Sequence, residues 1–219
     1  MRVIILCAGF GSRLMPYTSY KPKSLVDTGF GRIIDLQIKV LRRNGIEDIT
    51  VVTGYQSDAF DLLDVTYHHN PDYQSTNMLY SLMSTELNYD SDVIISYGDI
   101  IYTDDVISEL LKSNSKFNVV VDIDWRRLWE IRMEDPTGDV ESLTIENNSI
   151  VSIGQKINSL SEVEAQYIGL LKLRRDSLKE FISSYVELQN ANSDMTNFNN
   201  MYITDFLQHL IIKGERLEP

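Results

Sequence analysis

The stretch that decides the fold is Leu6-Cys-Ala-Gly-Phe-Gly-Ser-Arg-Leu14, which a short polar loop separates from Lys21-Pro-Lys-Ser-Leu25. The apolar run Val3 to Leu6 leads into it, and such a run is typical of a strand buried on both faces of a parallel sheet. The first stretch therefore begins where a buried strand ends. In open α/β sheets, that end of a strand is where ligands bind.

The residues after this strand suit a polyphosphate. Gly9 and Gly11 permit a tight turn and a close approach of the backbone, so successive N–H groups can turn toward phosphate oxygens. Arg13 and Lys23 add positive charge, and Ser12 adds a hydroxyl. An ordinary glycine turn is the alternative, but two cations beside the turn favour an anion. Neither GxxxxGK[ST] nor GxGxxG is present, which disfavours a P-loop NTPase and a dinucleotide dehydrogenase.

Composition narrows the class of protein. The 219 residues suit one domain, and 43% hydrophobic with 24% charged residues is typical of a soluble globular chain. We find no long apolar run and no signal peptide, so we expect a cytoplasmic protein. The net charge of −12 argues against nucleic-acid and membrane partners. The single cysteine, Cys7, is expected to be a core residue, and His68, His69 and His209 do not suggest a metal site.

The order of apolar patterns predicts an α/β fold. The first half alternates strands with helices, which indicates a mostly parallel sheet covered on both faces. The second half is rich in strands, with Asn147-Asn148 as a hairpin turn, and is expected to add antiparallel strands. Predicted strands cover 1–7, 49–53, 65–68, 93–97, 118–123, 140–146, 150–156 and 166–173. Predicted helices lie at 34–41, 60–63, 78–87, 106–111, 178–185 and 202–211.

We interpret residues 1–219 as a single domain. Residues 1–112 form its nucleotide-binding half and residues 113–219 its acceptor-side half. Asp99 follows the strand at 93–97, and a carboxylate at that position can hold Mg²⁺ against a phosphate. A Gly-Asp pair is also a common turn, which is the structural alternative.

The two quoted stretches resemble the nucleotidyltransferases that have a glycosyltransferase-A-like Rossmannoid fold, a three-layer α/β/α architecture. The resemblance implies that a nucleoside triphosphate transfers its NMP group to a phosphorylated acceptor. It also implies that Lys23 bridges the α-phosphate and the acceptor phosphate, and that Asp99 binds Mg²⁺. The nucleotide-binding residues that it implies are Leu6, Ala8, Gly9, Phe10, Gly11, Ser12, Arg13, Lys23 and Gly98.

The segment from His69 to Leu82 points to one group within that family. Asn70-Pro-Asp-Tyr-Gln-Ser-Thr-Asn-Met-Leu-Tyr-Ser-Leu82 is similar to the pattern NPxYxxTNxxYSL of phosphocholine and phosphonate cytidylyltransferases. The resemblance implies CTP as the donor, with Asn77 and Ser81 in the nucleotide pocket. The structural alternative is a turn followed by a helix capped by Ser75 or Thr76.

Four later segments resemble 2-aminoethylphosphonate cytidylyltransferases: 121–125, 133–141, 153–156 and 164–170. For an amino- or trimethylammonium-bearing acceptor, Asp124 and Trp125 could bind the cation by charge and cation–π attraction. Lys156 could bind the phosphonate and take part in catalysis, and Glu164 and Tyr167 complete the expected acceptor site. The alternatives are core packing for the tryptophan, a solvated strand position for Lys156 and a strand aromatic for Tyr167.

The expected reaction is attack of a phosphate or phosphonate oxygen on CTP, with release of pyrophosphate. Arg13 and Lys23 are the expected catalytic residues beside Lys156, and with Mg²⁺ they neutralise charge that builds in the transition state. Rival interpretations are a sugar-1-phosphate nucleotidyltransferase using UTP, dTTP or GTP, and a non-catalytic nucleotide-binding module. Family members commonly carry a second metal-binding carboxylate in a segment resembling GWxEIDTxxD, and 214–219 ends before such a segment. Asp194, Asp205 and Glu218 are substitutes among which spacing does not select. The oligomeric state stays open, a homodimer being one option.

Overall fold

A computed structural model of the protein describes residues 1–62, 64–85, 87 and 90–219. Within these residues, nine strands form one mixed sheet in the order β3-β2-β1-β4-β8-β5-β9-β7-β6. The strands are β1 (Arg2–Leu6), β2 (Asp48–Thr53), β3 (Thr66–His69), β4 (Val93–Tyr97), β5 (Phe117–Asp122), β6 (Glu141–Glu146), β7 (Ser149–Lys156), β8 (Gln166–Leu173) and β9 (Leu217–Glu218).

Helices cover both faces of the sheet. The amphipathic patterns around residues 34–41 and 106–111 form helices that bury their apolar faces. Among the described residues, no helix has the length and apolar character needed to cross a membrane. The helices are α1 (Ile33–Arg43), α2 (Met78–Met83), α3 (Asp104–Lys112), α4 (Trp125–Arg132), α5 (Leu178–Ala191), α6 (Met195–Asn199) and α7 (Ile203–Ile212).

Strand β1 lies in the middle of the parallel part of the sheet. It pairs with β2 on one side and β4 on the other, and β3 continues the parallel order beyond β2. Val3 and Ile5 enter one apolar core, whereas Ile4 and Leu6 enter the core on the opposite face. This alternation across two covered faces explains the continuous apolar run.

The second half joins the same sheet through antiparallel pairs. Strand β8 lies between β4 and β5 and is antiparallel to both, and β6 and β7 form a hairpin. The short β9 pairs parallel to β5 and antiparallel to β7. The predicted α/β class, the parallel first part and the antiparallel addition are therefore confirmed.

Some element predictions were wrong. In place of a helix at 60–63, a single 3-10 turn covers Ser57–Ala59 and residues 60–62 are irregular, while residue 63 lies outside the described residues. The helix predicted for 78–87 ends at Met83, and Asn77 caps it rather than Ser75 or Thr76. Helices α4 and α6 and strand β9 were not predicted.

Candidate active site

A cleft of about 270 Å³ opens where β1 and β4 end. One wall comes from the glycine loop and the turn containing Lys23, and the other from the segment that leads into α2. The carboxyl ends of parallel strands meet here, as expected for a ligand site in this kind of sheet. The lining residues are Leu6, Cys7, Ala8, Gly9, Gly11, Ser12, Arg13, Leu14, Lys23, Ser24, Tyr73, Thr76, Asn77, Met78, Ser81, Gly98 and Asp99.

The glycine loop has the open, irregular backbone that anion binding needs. Gly11 adopts a left-handed conformation with φ 62°, and a 3-10 turn over Ser12–Leu14 follows it. The Thr18 hydroxyl donates to the Gly11 carbonyl over 2.9 Å and holds the turn in place. A Cβ on Gly9 would meet no atom within 4 Å. The space beside Gly9 is therefore available to a ligand.

The two predicted cations take different positions. The ammonium group of Lys23 lies 2.7 Å from Oδ2 of Asp99, at the cleft. The side chain of Arg13 is 86% exposed, and its Nη1 lies 3.5 Å from Asp139. Since ion pairs this exposed are weak, a triphosphate could displace both carboxylates from their partners.

Asp99 is held by packing on both sides of its turn. Gly98 fits directly against β1, where a Cβ would overlap Cys7 and the carbonyl oxygen of Leu6. On the other side, the buried Gln37 donates from Nε2 to the carbonyls of Tyr97 (2.9 Å) and Ile100 (2.6 Å). The turn is thus fixed from two layers of the fold.

Cys7 lines the bottom of the cleft as a protonated thiol. Burial raises the pKa of the Cys7 thiol to about 12, and the Asp99 charge acts in the same direction. A thiol is nucleophilic only as thiolate. Cys7 is therefore a core residue, as expected.

The opposite wall belongs to the segment from Tyr73 to Ser81. Asn77 begins α2, and its Oδ1 accepts from the backbone N–H of Met78 over 2.8 Å. Its own N–H donates to the carbonyl of Asn199 over 2.9 Å, which ties this wall to α6. Asn77 therefore caps a helix and lines the cleft at the same time.

Phe10 is a predicted nucleotide-binding residue that does not line the cleft. Its ring is 42% exposed and packs against Tyr55 (centroids 5.0 Å apart) and Tyr73 (5.3 Å). Since Tyr73 does line the cleft, Phe10 contacts that wall through the Tyr73 ring. The other ten predicted nucleotide-binding residues all line it.

Of the predicted acceptor residues, Tyr167 on β8 lies beside the neighbouring strand β4. It packs edge-to-face against Tyr97, the last residue of β4, with ring centroids 5.7 Å apart. Burial is the largest cause that raises the pKa of Tyr167 and that of Tyr97, so both phenols stay protonated. Lys156 is exposed at the end of β7, where it pairs in register with Glu141.

The other predicted acceptor residues lie outside the cleft. Trp125 is only 2% exposed and packs in a small core with Val140 and Val163, so it takes the packing role rather than an open cation-binding role. Asp124 is exposed at the start of α4. Glu164 accepts from the N–H of Ile145 over 3.3 Å. Neither Asp124, Trp125, Lys156, Glu164 nor Tyr167 is among the residues that line the cleft.

The single carboxylate of Asp99 fits a metal ion that binds together with a nucleotide, whose phosphates supply the other ligands. Mg²⁺ is usually held by one or two carboxylates together with substrate phosphates. Among the described residues, no group of three or more His, Cys, Asp or Glu side chains could hold a metal ion. Asp194 caps α6, Asp205 caps α7 and Glu218 pairs with Arg216, so none of these three faces the cleft.

Several cleft residues were missed. Tyr73 and Thr76 belong to the quoted NPxYxxTNxxYSL pattern, so that motif could have identified them. Gln37, which holds the turn of Asp99 without lining the cleft, was also missed and carries no such signal, because its contacts join residues 60 and 63 positions apart. The other missed lining residues are Cys7, Leu14, Ser24 and Met78.

Comparisons with known proteins give consistent findings. The model of the MobA-like NTP transferase domain family matches residues 3–132. The CTP:phosphoglutamine cytidylyltransferase of Campylobacter jejuni subsp. jejuni is 40% identical over 225 residues, which cover 97% of this chain and 89% of that protein. The choline-phosphate cytidylyltransferase of Haemophilus influenzae is 26% identical over 233 residues, covering 100% and 98%.

The fold also matches solved structures. The CTP:phosphocholine cytidylyltransferase from Streptococcus pneumoniae superimposes with a TM-score of 0.71 at 19% sequence identity. The match covers 99% of this chain and 87% of that one. At this identity the likeness establishes a shared fold.

Proposed function

Because the chain belongs to the MobA-like NTP transferase family, we propose that it transfers CMP from CTP to a small phosphate or phosphonate monoester and releases pyrophosphate. The observation that carries this proposal is the cleft itself. It brings the glycine loop, Lys23 and Asp99 together at the ends of β1 and β4.

The reaction needs no protein nucleophile. An oxygen of the acceptor's phosphate or phosphonate attacks the α-phosphorus of CTP and forms a new P–O bond. The bond between the α-phosphorus and the bridging oxygen breaks, and that oxygen leaves with pyrophosphate. The main barrier is the repulsion between two anions, which positioning and cationic groups reduce.

Each cation has a separate place in this scheme. Lys23 lines the cleft beside Asp99, where it can neutralise the α-phosphate and the incoming acceptor. Arg13 is exposed at the rim and suits the outer phosphates, with the N–H groups of Gly11 and Ser12 beside it. Mg²⁺, held by Asp99, would neutralise further phosphate charge when bound.

The acceptor is proposed to carry a cationic group as well as its phosphate. Phosphoglutamine, the substrate named for the 40% identical relative, is the first candidate, followed by phosphocholine and 2-aminoethylphosphonate. The carboxylate of Asp139 lies 3.5 Å from Nη1 of Arg13, and its charge acts on Glu141, so two carboxylates near Arg13 would favour a positive charge on the acceptor. Lys156 remains the proposed partner of the acceptor's phosphate.

A matrix of pyrophosphate release tests the proposal. CTP, UTP, ATP and GTP are each combined with phosphoglutamine, phosphocholine, 2-aminoethylphosphonate and sugar 1-phosphates, with Mg²⁺ present. We expect release with CTP and one of the first three acceptors. Release confined to a sugar 1-phosphate, or no release with any pair, would contradict the proposal.

Replacing Lys23 with Ala should abolish most of the activity without unfolding the protein. Removing a cation that acts on transition-state charge costs about 10²- to 10³-fold in kcat. The pair with Asp99 is partly exposed, so the melting temperature should change little. Lys39→Ala, an exposed lysine on α1, is the matched control and should keep full activity. Near-normal turnover of Lys23→Ala would rule out the assigned role.

A further inference from the structure

The buried side chain of Asn70 determines whether the hydroxyl groups of Thr76 and Ser81, on one wall of the cleft, donate or accept hydrogen bonds. Asn70 follows β3, is fully buried, and donates its backbone N–H to Thr53 over 2.8 Å. Its Oδ1 accepts from the backbone N–H of Asp72 over 2.9 Å. Because a backbone N–H can only donate, this contact determines which end of the amide is oxygen and turns Nδ2 toward the wall.

Both protons of that Nδ2 go to hydroxyl groups that line the cleft. Nδ2 lies 3.1 Å from Oγ1 of Thr76 and 2.9 Å from Oγ of Ser81, so each hydroxyl oxygen accepts from Asn70. The Thr76 hydroxyl gives its own proton to the carbonyl of Asp72 over 2.9 Å. The Ser81 hydroxyl directs its proton to the carbonyl of Asn77 over 3.4 Å.

These contacts leave a wall that accepts hydrogen bonds. Each hydroxyl oxygen has two lone pairs and one proton. One lone pair receives the amide proton of Asn70, and the hydroxyl proton points to a backbone carbonyl. What remains on each oxygen is a lone pair, so a ligand that donates is satisfied and one that accepts is repelled.

We propose that Thr76 and Ser81 read the pyrimidine of the bound nucleotide and that Asn70 positions them, so that the wall selects cytosine over uracil. This inference rests on the proposed cytidylyltransferase function and names the origin of its donor selectivity. The two hydroxyls would face the 4-position of the base, where cytosine has an exocyclic amino donor and uracil a carbonyl acceptor. At the neighbouring N3 the order is reversed, since uracil donates there and cytosine accepts. A wall that can only accept hydrogen bonds disfavours a base with an acceptor at that position, because both acceptors are then left unpaired.

The first test measures binding rather than turnover. Calorimetric titration of the whole protein with CTP or UTP, in the presence of Mg²⁺, gives the ratio of the two dissociation constants. We expect the wild type to bind CTP at least about tenfold more tightly than UTP. Thr76→Val and Ser81→Ala should weaken CTP binding about tenfold and leave UTP binding within about twofold. Thr50→Val, a buried threonine in β2 away from the cleft, is the matched control.

Asn70→Ala tests the positioning role. Without the amide, the Ser81 hydroxyl can rotate and donate into the cleft, since its contact to Asn77 is long. The CTP-to-UTP preference should fall about tenfold, through weaker CTP binding and stronger UTP binding. Asn118→Ala removes another buried asparagine, in β5, and should lower the melting temperature without changing that ratio.

Some results would overturn the role of Thr76, Ser81 and Asn70 in base selection without affecting the proposed function. Equal binding of CTP and UTP by the wild type would do so, as would an unchanged ratio in Thr76→Val and Asn70→Ala. Equal weakening of both nucleotides would show that the hydroxyls only support the fold. Pyrophosphate release from CTP would leave the proposed function standing in each case, whereas its absence with every acceptor would remove that function as well.

Discussion

Gly98 is the residue that lets Asp99 lie at the end of β1. A side chain there would overlap Cys7 and the carbonyl oxygen of Leu6, whereas a Cβ on Gly9 would extend into open space. The two glycines therefore have different tasks. Gly98 permits packing of the backbone, and Gly9 leaves room for a ligand.

Gly98→Ala should destabilise the protein by about 2 kcal/mol or more, because an added methyl group forces β1 and β4 apart. Gly9→Ala should change the free energy of unfolding by less than about 0.5 kcal/mol. Urea denaturation followed by circular dichroism measures both. If the two variants were equally stable, the proposed difference between the glycines would be wrong.

Glu141 is a carboxylate whose charge costs folding free energy. Burial raises the pKa of Glu141 above the ordinary 4.5, and the charges of Asp205 and Asp139 act in the same direction, against a hydrogen bond from Thr204. The folded state therefore keeps the proton to a higher pH than the unfolded chain does. The protein loses stability as the pH rises through this window.

Glu141→Gln should remove that loss. The variant should gain stability relative to wild type as the pH rises from about 4 to about 7, because the amide does not ionise. The check is the free energy of unfolding in urea at several pH values. Glu146→Gln, at the exposed end of the same strand, is the control. A difference that is independent of pH would show that the Glu141 charge is not penalised.

Among the elements, the β6–β7 hairpin has the turn at Asn147-Asn148 that the sequence predicted. Asn147 and Asn148 have φ of 49° and 57°, so both central residues are left-handed, as a type I′ turn requires. Arg216 donates to both of their carbonyls, over 3.3 and 3.4 Å. Asparagine tolerates this conformation better than most residues do.

Substitutions of Asn148 should change stability in opposite directions. Asn148→Gly should raise the free energy of unfolding by about 0.5 kcal/mol, because glycine adopts positive φ without a steric penalty. Asn148→Ala should lower it by about 1 kcal/mol. Thermal and urea unfolding of the pair would show the order, and a lower stability for the glycine variant would contradict the turn assignment.

The elements that were missed lack a clear local signal. Helix α4 exposes Leu128 and Ile131 as well as charged residues, so its sequence has no clean apolar stripe. Helix α6 has five residues, and β9 has two. Strand β9 exists because β5 and β7 supply its partners, which are 67 to 100 residues away in sequence.

On the scale of the whole molecule, β8 makes the two halves one sheet. It is part of the second half, yet it pairs with β4 of the first half along four residue pairs. The large apolar core also includes residues of both halves, among them Ile4, Val93, Phe117 and Phe206. A shared core of this kind favours unfolding in one step.

We expect a single unfolding transition. Both tryptophans, Trp125 and Trp129, lie in the second half, so their fluorescence reports that half, whereas far-ultraviolet circular dichroism reports helices and strands throughout. The two probes should give the same urea midpoint within error. Separate midpoints would mean that residues 1–112 and 113–219 unfold independently.

The sequence alone determined the α/β class, the strand ends and most of the residues that line the cleft. These depend on contiguous residues, because glycine turns, apolar runs and capping patterns act over a few positions. Only the tertiary structure decided that Trp125 is core, that Gln37 and Gly98 hold the turn of Asp99, and that Asn70 orients Thr76 and Ser81. Such roles depend on burial and on the direction of hydrogen bonds, and neither exists until the chain has folded.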